Sequence, residues 1–286
     1  MIGTEVFAEH RRLLFDVAYR MTGSVADAED LVQEAWLRWS VVDSTRVDNP
    51  RAYLVRTVTN LSLNQLTSAR ARRETYVGPW LPEPLLTQPD SGREAEMAES
   101  ISMAMLVVLE TLSPLERAVF VLHDVFGYSH VEIASILDRS EPAVRQTATR
   151  ARAHVAARRP RFDTDNRVRR EAVERFAAAC TGGDLNALME LLAPDVVAWS
   201  DGGGRVPAAR RPLIGPDHVA RWLLGILTKP AAQGLDVRIT EINGAPGLLA
   251  SSKGQPIGAI TLDTAQSQIT ALRLTVNPDK LAGLNR

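Results

Sequence analysis

Apolar positions recur with a helical period from the start of the chain to about Glu74. Val6, Leu13, Leu14, Val17, Ala18 and Met21 fall on one helix face. Thr22-Gly23-Ser24 breaks that helix, and a second begins near Ser24 with Ala28, Leu31, Val32, Ala35, Trp36 and Trp39 on its apolar side. Asn49-Pro50 opens a third helix that runs to Arg73. From Thr75 to Gly92 the prolines and Gly78 forbid a regular helix. Trp80, Leu81, Leu85 and Leu86 stand in that stretch, and a solvated linker has little use for them, so it is expected to dock on something. Helical spacing returns at about Glu94 and lasts to Arg159, with a helix over residues 95–112 and a new start at Ser113-Pro114. Past Arg167 the pattern changes. Two helices flank Gly182-Gly183, and a further helix covers residues 218–227. Strand-like runs occupy residues 196–200, 235–242, 247–251, 256–263 and 269–276, with a hairpin turn at Asn243-Gly244. Helices followed by a mainly antiparallel sheet predict an α+β domain.

The stretch from Ser129 to His154 carries the most specific local signal. Ser129 and Glu132 have capping-box spacing, and Val131, Ile133, Ala134, Ile136 and Leu137 give the first short helix its apolar stripe. Asp138 and Arg139 form the turn. Ser140 stands at the cap of the second helix and Pro142 in its first turn, where a missing N–H costs nothing. Ala143, Val144, Thr147, Ala148 and Ala151 are expected to face inward. Arg145, Gln146, Thr149, Arg150 and Arg152 are left facing out, which suits a helix-turn-helix whose second helix enters a DNA major groove. Arg145 and Gln146 lead as base contacts, and Arg150 and Arg152 suit phosphates.

Composition narrows this picture. The 286 residues are 45% hydrophobic and 23% charged, as expected of packed domains, and only 5% aromatic, so Leu, Val, Ala and Ile must build the cores. The net charge of −1 hides an acidic segment (Asp27, Glu29, Asp30, Glu34) and a basic run from Arg145 to Arg170. Cys180 is the only cysteine, which excludes an internal disulfide and a thiolate metal cluster. No signal-peptide pattern and no apolar run of membrane-spanning length is evident, so a cytoplasmic protein without membrane contact is expected.

Three motifs in one order then add a family. Residues 24–39 (SVADAEDLVQEAWLRW), 49–73 and 112–155 resemble a bacterial sigma factor of the extracytoplasmic-function group, over somewhat more than half the chain. The resemblance implies two all-α sigma domains, residues 1–74 and 94–159, joined by a linker over residues 75–93. It implies that Asp27, Asp30, Gln33 and Glu34 contact core RNA polymerase, with Trp36 in the core of their block. It implies that the third helix captures the promoter −10 element and helps melt it through Arg56, Asn60 and Asn64, one face apart by four residues, extended by Arg70, Arg72 and Arg73. The family often carries aspartate where Asn64 stands. It further implies that residues 112–155 read the −35 element, with Glu141 beside Arg145, Gln146 and Thr149 at the bases.

The last block, residues 167–286, resembles the SnoaL-like, nuclear-transport-factor-2-like cone fold that a subgroup of these sigma factors carries. The markers are Trp80, Leu81, Pro82, Glu83, Pro84 and Leu85 in the linker, Asp201-Gly202-Gly203-Gly204-Arg205, and Asn277-Pro278-Asp279-Lys280-Leu281. The subgroup usually has lysine where Arg205 stands, a change that keeps charge but alters the hydrogen-bond fork. These elements are expected to hold the linker against the C-terminal domain and so regulate the sigma domains in cis. Cone folds often enclose a pocket, so a small-molecule ligand is a candidate partner. Asp201, Asp217, His218 and Asp263 form no spaced pair that reads as a catalytic site, and neither an enzyme activity nor a cofactor or metal is expected. The competing reading is a ligand-sensing helix-turn-helix regulator that works without polymerase. The acidic second helix and the Asn- and Arg-bearing third helix argue against it.

Overall fold

The structure, a computed structural model, describes residues 2–87, 102–158 and 165–285, and only the backbone of residues 2, 45, 69–74 and 285. The chain divides into two compact units, Met1–Thr75 with Met105–Arg159 and Tyr76–Ala104 with Pro160–Arg286. Both helical blocks therefore share one unit, and the Pro-rich segment from Tyr76 onward belongs to the other.

The first block is three helices, α1 (Ile2–Thr22), α2 (Val25–Ser40) and α3 (Pro50–Glu74). Ser24 caps α2 by accepting the Asp27 N–H at 3.1 Å, and the left-handed Gly23 makes the preceding turn. Leu14, Val17, Ala18 and Met21 of α1 meet Leu31, Val32 and Ala35 of α2 and Leu54, Val55 and Val58 of α3 in the core. Trp39 is buried and its indole donates to the Gly3 carbonyl at 2.6 Å. Trp36, expected in the core, is only partly buried and sets its ring edge-on to Phe7, with centroids 5.1 Å apart.

The second block contains α4 (Met103–Leu109), α5 (Pro114–Phe120) with a π-helical turn over Val121–Val125, α6 (His130–Leu137) and α7 (Glu141–Arg158). Of the expected helix over residues 95–112 only Met103–Leu109 is helical among the described residues, as α4; Glu110–Leu112 turn away ahead of the Ser113 cap, and residues 95–101 lie outside the described set. Ser113 with Glu116 and Ser129 with Glu132 both form complete capping boxes. Fully buried Arg117 joins the two blocks, its Nε donating to the Arg20 carbonyl at 2.9 Å while Nη1 pairs with Glu110 at 2.5 Å.

The second unit opens on α8 (Asn166–Gly182) and α9 (Leu185–Leu191), parted by the left-handed Gly183. The strands are β1 (Leu192–Asp201), β2 (Leu213–Ile214), β3 (Asp236–Ile242), β4 (Ala245–Ser252), β5 (Gln255–Ala265) and β6 (Gln268–Thr275), with α10 (Pro216–Leu227) after β2. They form one sheet in the order β2-β1-β6-β5-β4-β3, antiparallel except for the parallel pair β1·β6. Register shifts interrupt the β1·β6, β4·β5 and β5·β6 pairings, and such bulges bend and twist a sheet. This is the α+β, mainly antiparallel architecture the sequence predicts. One sheet face (Val196, Leu248, Leu262, Leu272) packs on Val173 and Phe176 of α8, Leu188 of α9 and Leu223 of α10. The other face carries a smaller cluster of Ile242, Leu249, Ala259, Leu281 and Leu284, which Leu86 joins. Leu281 belongs to a short helix near the end, α11 (Pro278–Leu281), and Leu284 to the 3₁₀ turn Ala282–Asn285 that follows it.

Candidate nucleic-acid interface and linker clasp

The helix-turn-helix forms because its turn is left-handed at Asp138 (φ 52°), and because Ile133, Ile136 and Leu137 of α6 pack with Val144, Thr147, Ala148 and Ala151 of α7. Two expectations fail. Val131 and Ala143, placed on inward stripes, are exposed. Each stands in the first turn of its helix, where the chain has not yet reached the packing seam. Arg145, Gln146, Thr149 and Arg150 are exposed as expected. Glu141, Pro142, Arg145, Gln146 and Thr149 line one open depression. Glu141 pairs with Arg145 one turn on, and Arg152 Nε donates to Asp124 Oδ1 at 2.6 Å. His130 lies at the start of α6 with its ring centroid 4.2 Å from that of His123. Partial desolvation, then His123, Arg145 and Arg152, hold His130 below the usual imidazole pKa.

On α3, Arg56 and Asn64 are exposed and Asn60 is partly so, forming one outward strip. Arg70, Arg72 and Arg73 continue the helix, with side chains outside the described set. On α2, Asp30 and Gln33 are exposed, and Glu34 pairs with Arg38 at 2.9 Å. Asp27 has an internal duty, because its carboxylate accepts from Gln65 Nε2 of α3 at 3.0 Å. The basic run is divided between the two units. Arg145 to Arg158 belong to α7, Arg159 and Arg161 lie outside the described residues, and Arg167 to Arg170 start α8 in the other unit.

In the second unit the three marker segments converge on Asp201, which is fully buried at the end of β1. Its carboxylate accepts from the Tyr76 hydroxyl (2.6 Å), the Leu81 N–H (2.8 Å), the Gly203 N–H (3.0 Å) and Lys280 Nζ (2.7 Å). Lys280, 7% exposed, also donates to the Leu81 carbonyl and lies 4.1 Å from the Trp80 ring centroid and 5.0 Å from that of Tyr76. Asn277 caps the last turn through Oδ1 and donates from Nδ2 to the Tyr76 hydroxyl at 3.0 Å. Burial, and then the bond to Asp201, raise the Tyr76 phenol above its ordinary pKa. Leu81, Pro82 and Pro84 are buried, and Trp80, Glu83 and Leu85 are partly so.

Backbone geometry explains the triple glycine. Gly203 has φ 59°, and a Cβ there would stand 2.3 Å from Asn277 Nδ2; a Cβ on Gly202 would stand 2.4 Å from the Val206 carbonyl oxygen. Gly204 is also left-handed, at φ 72°. Arg205 uses its fork, donating from Nε (3.1 Å) and Nη2 (3.0 Å) to the two oxygens of Asp279, with both side chains exposed. Pro278 stands exposed in the first turn of α11. The other carboxylates and the histidine considered for catalysis lie apart. Asp217 pairs with Arg221, His218 sits exposed against the Ile214 carbonyl, and Asp263 pairs with buried Arg273 at 2.7 Å.

Tyr76 and Asn277 act together in this clasp, yet Tyr76 escaped the sequence reading. The available signal was its place: an aromatic two residues past α3, in a proline-rich run that should not need one. Among the described residues no helix is long and apolar enough to cross a membrane, and no group of three or more His, Cys, Asp or Glu side chains is placed to hold a metal ion.

Comparison with known proteins agrees with the fold. The Sigma-70 region 2 family matches residues 6–72, and the Sigma-70, region 4 family matches residues 102–155. The chain is 42% identical to the ECF RNA polymerase sigma factor SigJ of Mycobacterium tuberculosis over 294 aligned positions, covering 97% of this chain and 92% of the relative. The chain belongs to the ECF RNA polymerase sigma factors. This sigma factor is also 30% identical to the probable ECF RNA polymerase sigma factor SigI of the same species, over 95% of its own length and 92% of the relative's. The crystal structure of the M. tuberculosis extracytoplasmic function sigma factor SigJ matches it with a TM-score of 0.77 at 38% identity, covering 98% of each chain. The similarity to SigJ thus runs through the C-terminal α+β domain of the sigma factor as well as its helical blocks.

Proposed function

We propose that this sigma factor binds core RNA polymerase through the acidic face of α2, captures and opens the −10 element with α3, and reads the −35 element with α7. Arg145, Gln146, Thr149 and Glu141 address base edges, and Arg150 and Arg152 address phosphates. Arg56, Asn60 and Asn64, extended by Arg70, Arg72 and Arg73, address unpaired bases and their backbone. Asp30, Gln33 and Glu34 supply polymerase contacts, while Asp27 supports them from its bond to Gln65. The C-terminal domain modulates initiation in cis by gripping the linker, and any small-molecule ligand of that domain acts by favouring the gripped or the released linker.

One observation carries the reading. A chain related over nearly its whole length to an ECF sigma factor presents, on the second helix of a capped helix-turn-helix, an open depression lined by Arg145, Gln146 and Thr149. Run-off transcription with sigma-free core polymerase tests it. The full chain is expected to initiate from a cognate promoter, and truncation from Arg167 onward, or of the Asn277–Leu281 tail alone, is expected to change the yield. No complex with core polymerase and no initiation would overturn the sigma assignment. Equal yields from all three proteins would overturn the cis-regulatory part.

A further inference from the structure

The hairpin turn at Asn243-Gly244 does more than join β3 to β4. Asn243 is fully buried and left-handed (φ 54°), and it forms a reciprocal pair with the linker: its Oδ1 accepts the Leu85 N–H at 3.1 Å, and its own N–H donates to the Leu85 carbonyl at 2.8 Å. Two residues on, the Thr87 N–H donates to the Glu241 carbonyl at 3.0 Å, and Thr87 Oγ1 accepts the Gly244 N–H at 2.9 Å. Leu86 makes a β-bridge with Ile242. The linker therefore adds a short strand segment to the end of β3, the edge strand of the sheet. The Glu241 side chain is engaged as well. It is buried, 9% exposed, and its Oε1 accepts from Arg170 Nη2 of α8 at 2.9 Å.

Glu241 thus binds two points of the chain, Thr87 through its main chain and Arg170 through its carboxylate. In sequence, the whole helix-turn-helix lies between those two points. We propose that the β3–β4 turn is a second linker anchor, separate from the Asp201 clasp, that holds the chain segments on either side of the −35-reading module at one spot on the C-terminal domain and so limits which −10 to −35 spacings the sigma factor accepts. Releasing this anchor while the Asp201 clasp still holds Leu81 frees residues 82–87, about 20 Å of chain when extended. Each base pair of spacer adds about 3.4 Å along the DNA, so the freed length is large on the scale of single-base-pair changes. The inference rests on the sigma reading above.

The test uses the full-length protein. N243G keeps the left-handed turn but drops the Oδ1 acceptor, T87V drops the hydroxyl, and R170M cuts the exit contact. For N243G combined with T87V, hydrogen exchange at the Leu85 and Thr87 amides is expected to rise roughly 2- to 12-fold, the range for losing one net hydrogen bond, while the Leu81 amide stays protected. Run-off yields on promoters with spacers one or two base pairs off the optimum are expected to rise relative to the optimum by a similar factor, and R170M is expected to broaden the same profile. Unchanged exchange at Leu85 and Thr87 overturns the anchor. Raised exchange with a spacer profile superimposable on that of the unaltered protein overturns its role in spacing. If the unaltered protein gives no run-off at all, the sigma reading fails instead, the spacing role falls with it, and exchange alone decides whether the anchor exists.

Discussion

The Glu141–Arg145 pair on α7 and the Asp201–Lys280 pair in the clasp use the same chemistry in opposite settings. On α7 both side chains stand in solvent, 39% and 66% exposed, and the pair sits in an open depression. In the clasp the carboxylate is fully buried, the ammonium nearly so, and the carboxylate accepts from four donors. An exposed ion pair contributes about 0–1 kcal/mol, so a guanine edge or a phosphate can take Arg145 over at little cost. A buried charge stripped of its partner costs about 3–5 kcal/mol. The exposed pair is thus suited to exchange partners, and the buried one to hold a segment of its own chain. Charge alone does not mark a binding site; the number of partners a charge already has, and its access to water, decide which role it plays.

The sharpest way to break this contrast is Asp201→Ala, which leaves Lys280 buried without its carboxylate. The C-terminal domain should lose about 3–5 kcal/mol in denaturant unfolding, and the Leu81 amide should exchange faster. The double change Asp201→Asn with Lys280→Met should cost less than the sum of the single ones, because it removes both charges. An Asp201→Ala protein as stable as the parent would remove the clasp from the account. Next in size, Arg145→Ala should cost about 1–3 kcal/mol of discrimination at one −35 base pair and leave unfolding unaffected. Competition between promoters substituted one base pair at a time measures this, and an unaltered preference would reject Arg145 as a reader.

Gly203→Ala combines a left-handed backbone with a collision against Asn277. It should destabilise the domain by about 1–3 kcal/mol and loosen the tail turn, seen as faster exchange at the Lys280 amide. Titration sharpens the same site. The Tyr76 phenol is raised in the folded state, so its contribution is fully present below the unfolded value of about 10 and is lost as pH rises beyond it. Stability of the full chain should fall faster above about pH 10 than that of Tyr76→Phe. Parallel alkaline unfolding curves would show that the phenol bond contributes nothing. The smallest effect belongs to Arg205→Ala, which removes an exposed ion pair with Asp279. It should cost no more than about 1 kcal/mol. A larger loss in thermal unfolding would mean that this exposed pair belongs to the buried clasp after all.

Much of the architecture was legible from local rules. The helix start at Ser113, the capping box at Ser129, the break at Gly23 and the strand-like runs that form β3 to β6 are short-range effects, and all appear where the pattern places them. The failures are equally local in cause. Trp36, Val131 and Ala143 have the right composition for an inward face but the wrong height or angle on their helices. Glu241 could have been suspected, because it shares strand parity with Ile239, which packs toward the core. An acid at such a position asks for a partner, and Arg170 is that partner.

Periodicity, capping residues and turn glycines lie within a few residues of the structure they specify, so the sequence alone determined the main helices, the strands β1 and β3 to β6 and the outward basic face of α7, but not the two-residue strand β2. Tertiary structure decided the rest. Tyr76, Leu81, Asp201, Asn277 and Lys280 are up to 204 residues apart in sequence and meet only because β1, the linker and the last turn end at one place. A buried carboxylate must find its donors wherever the fold brings them, and no spacing along the chain records which ones they will be.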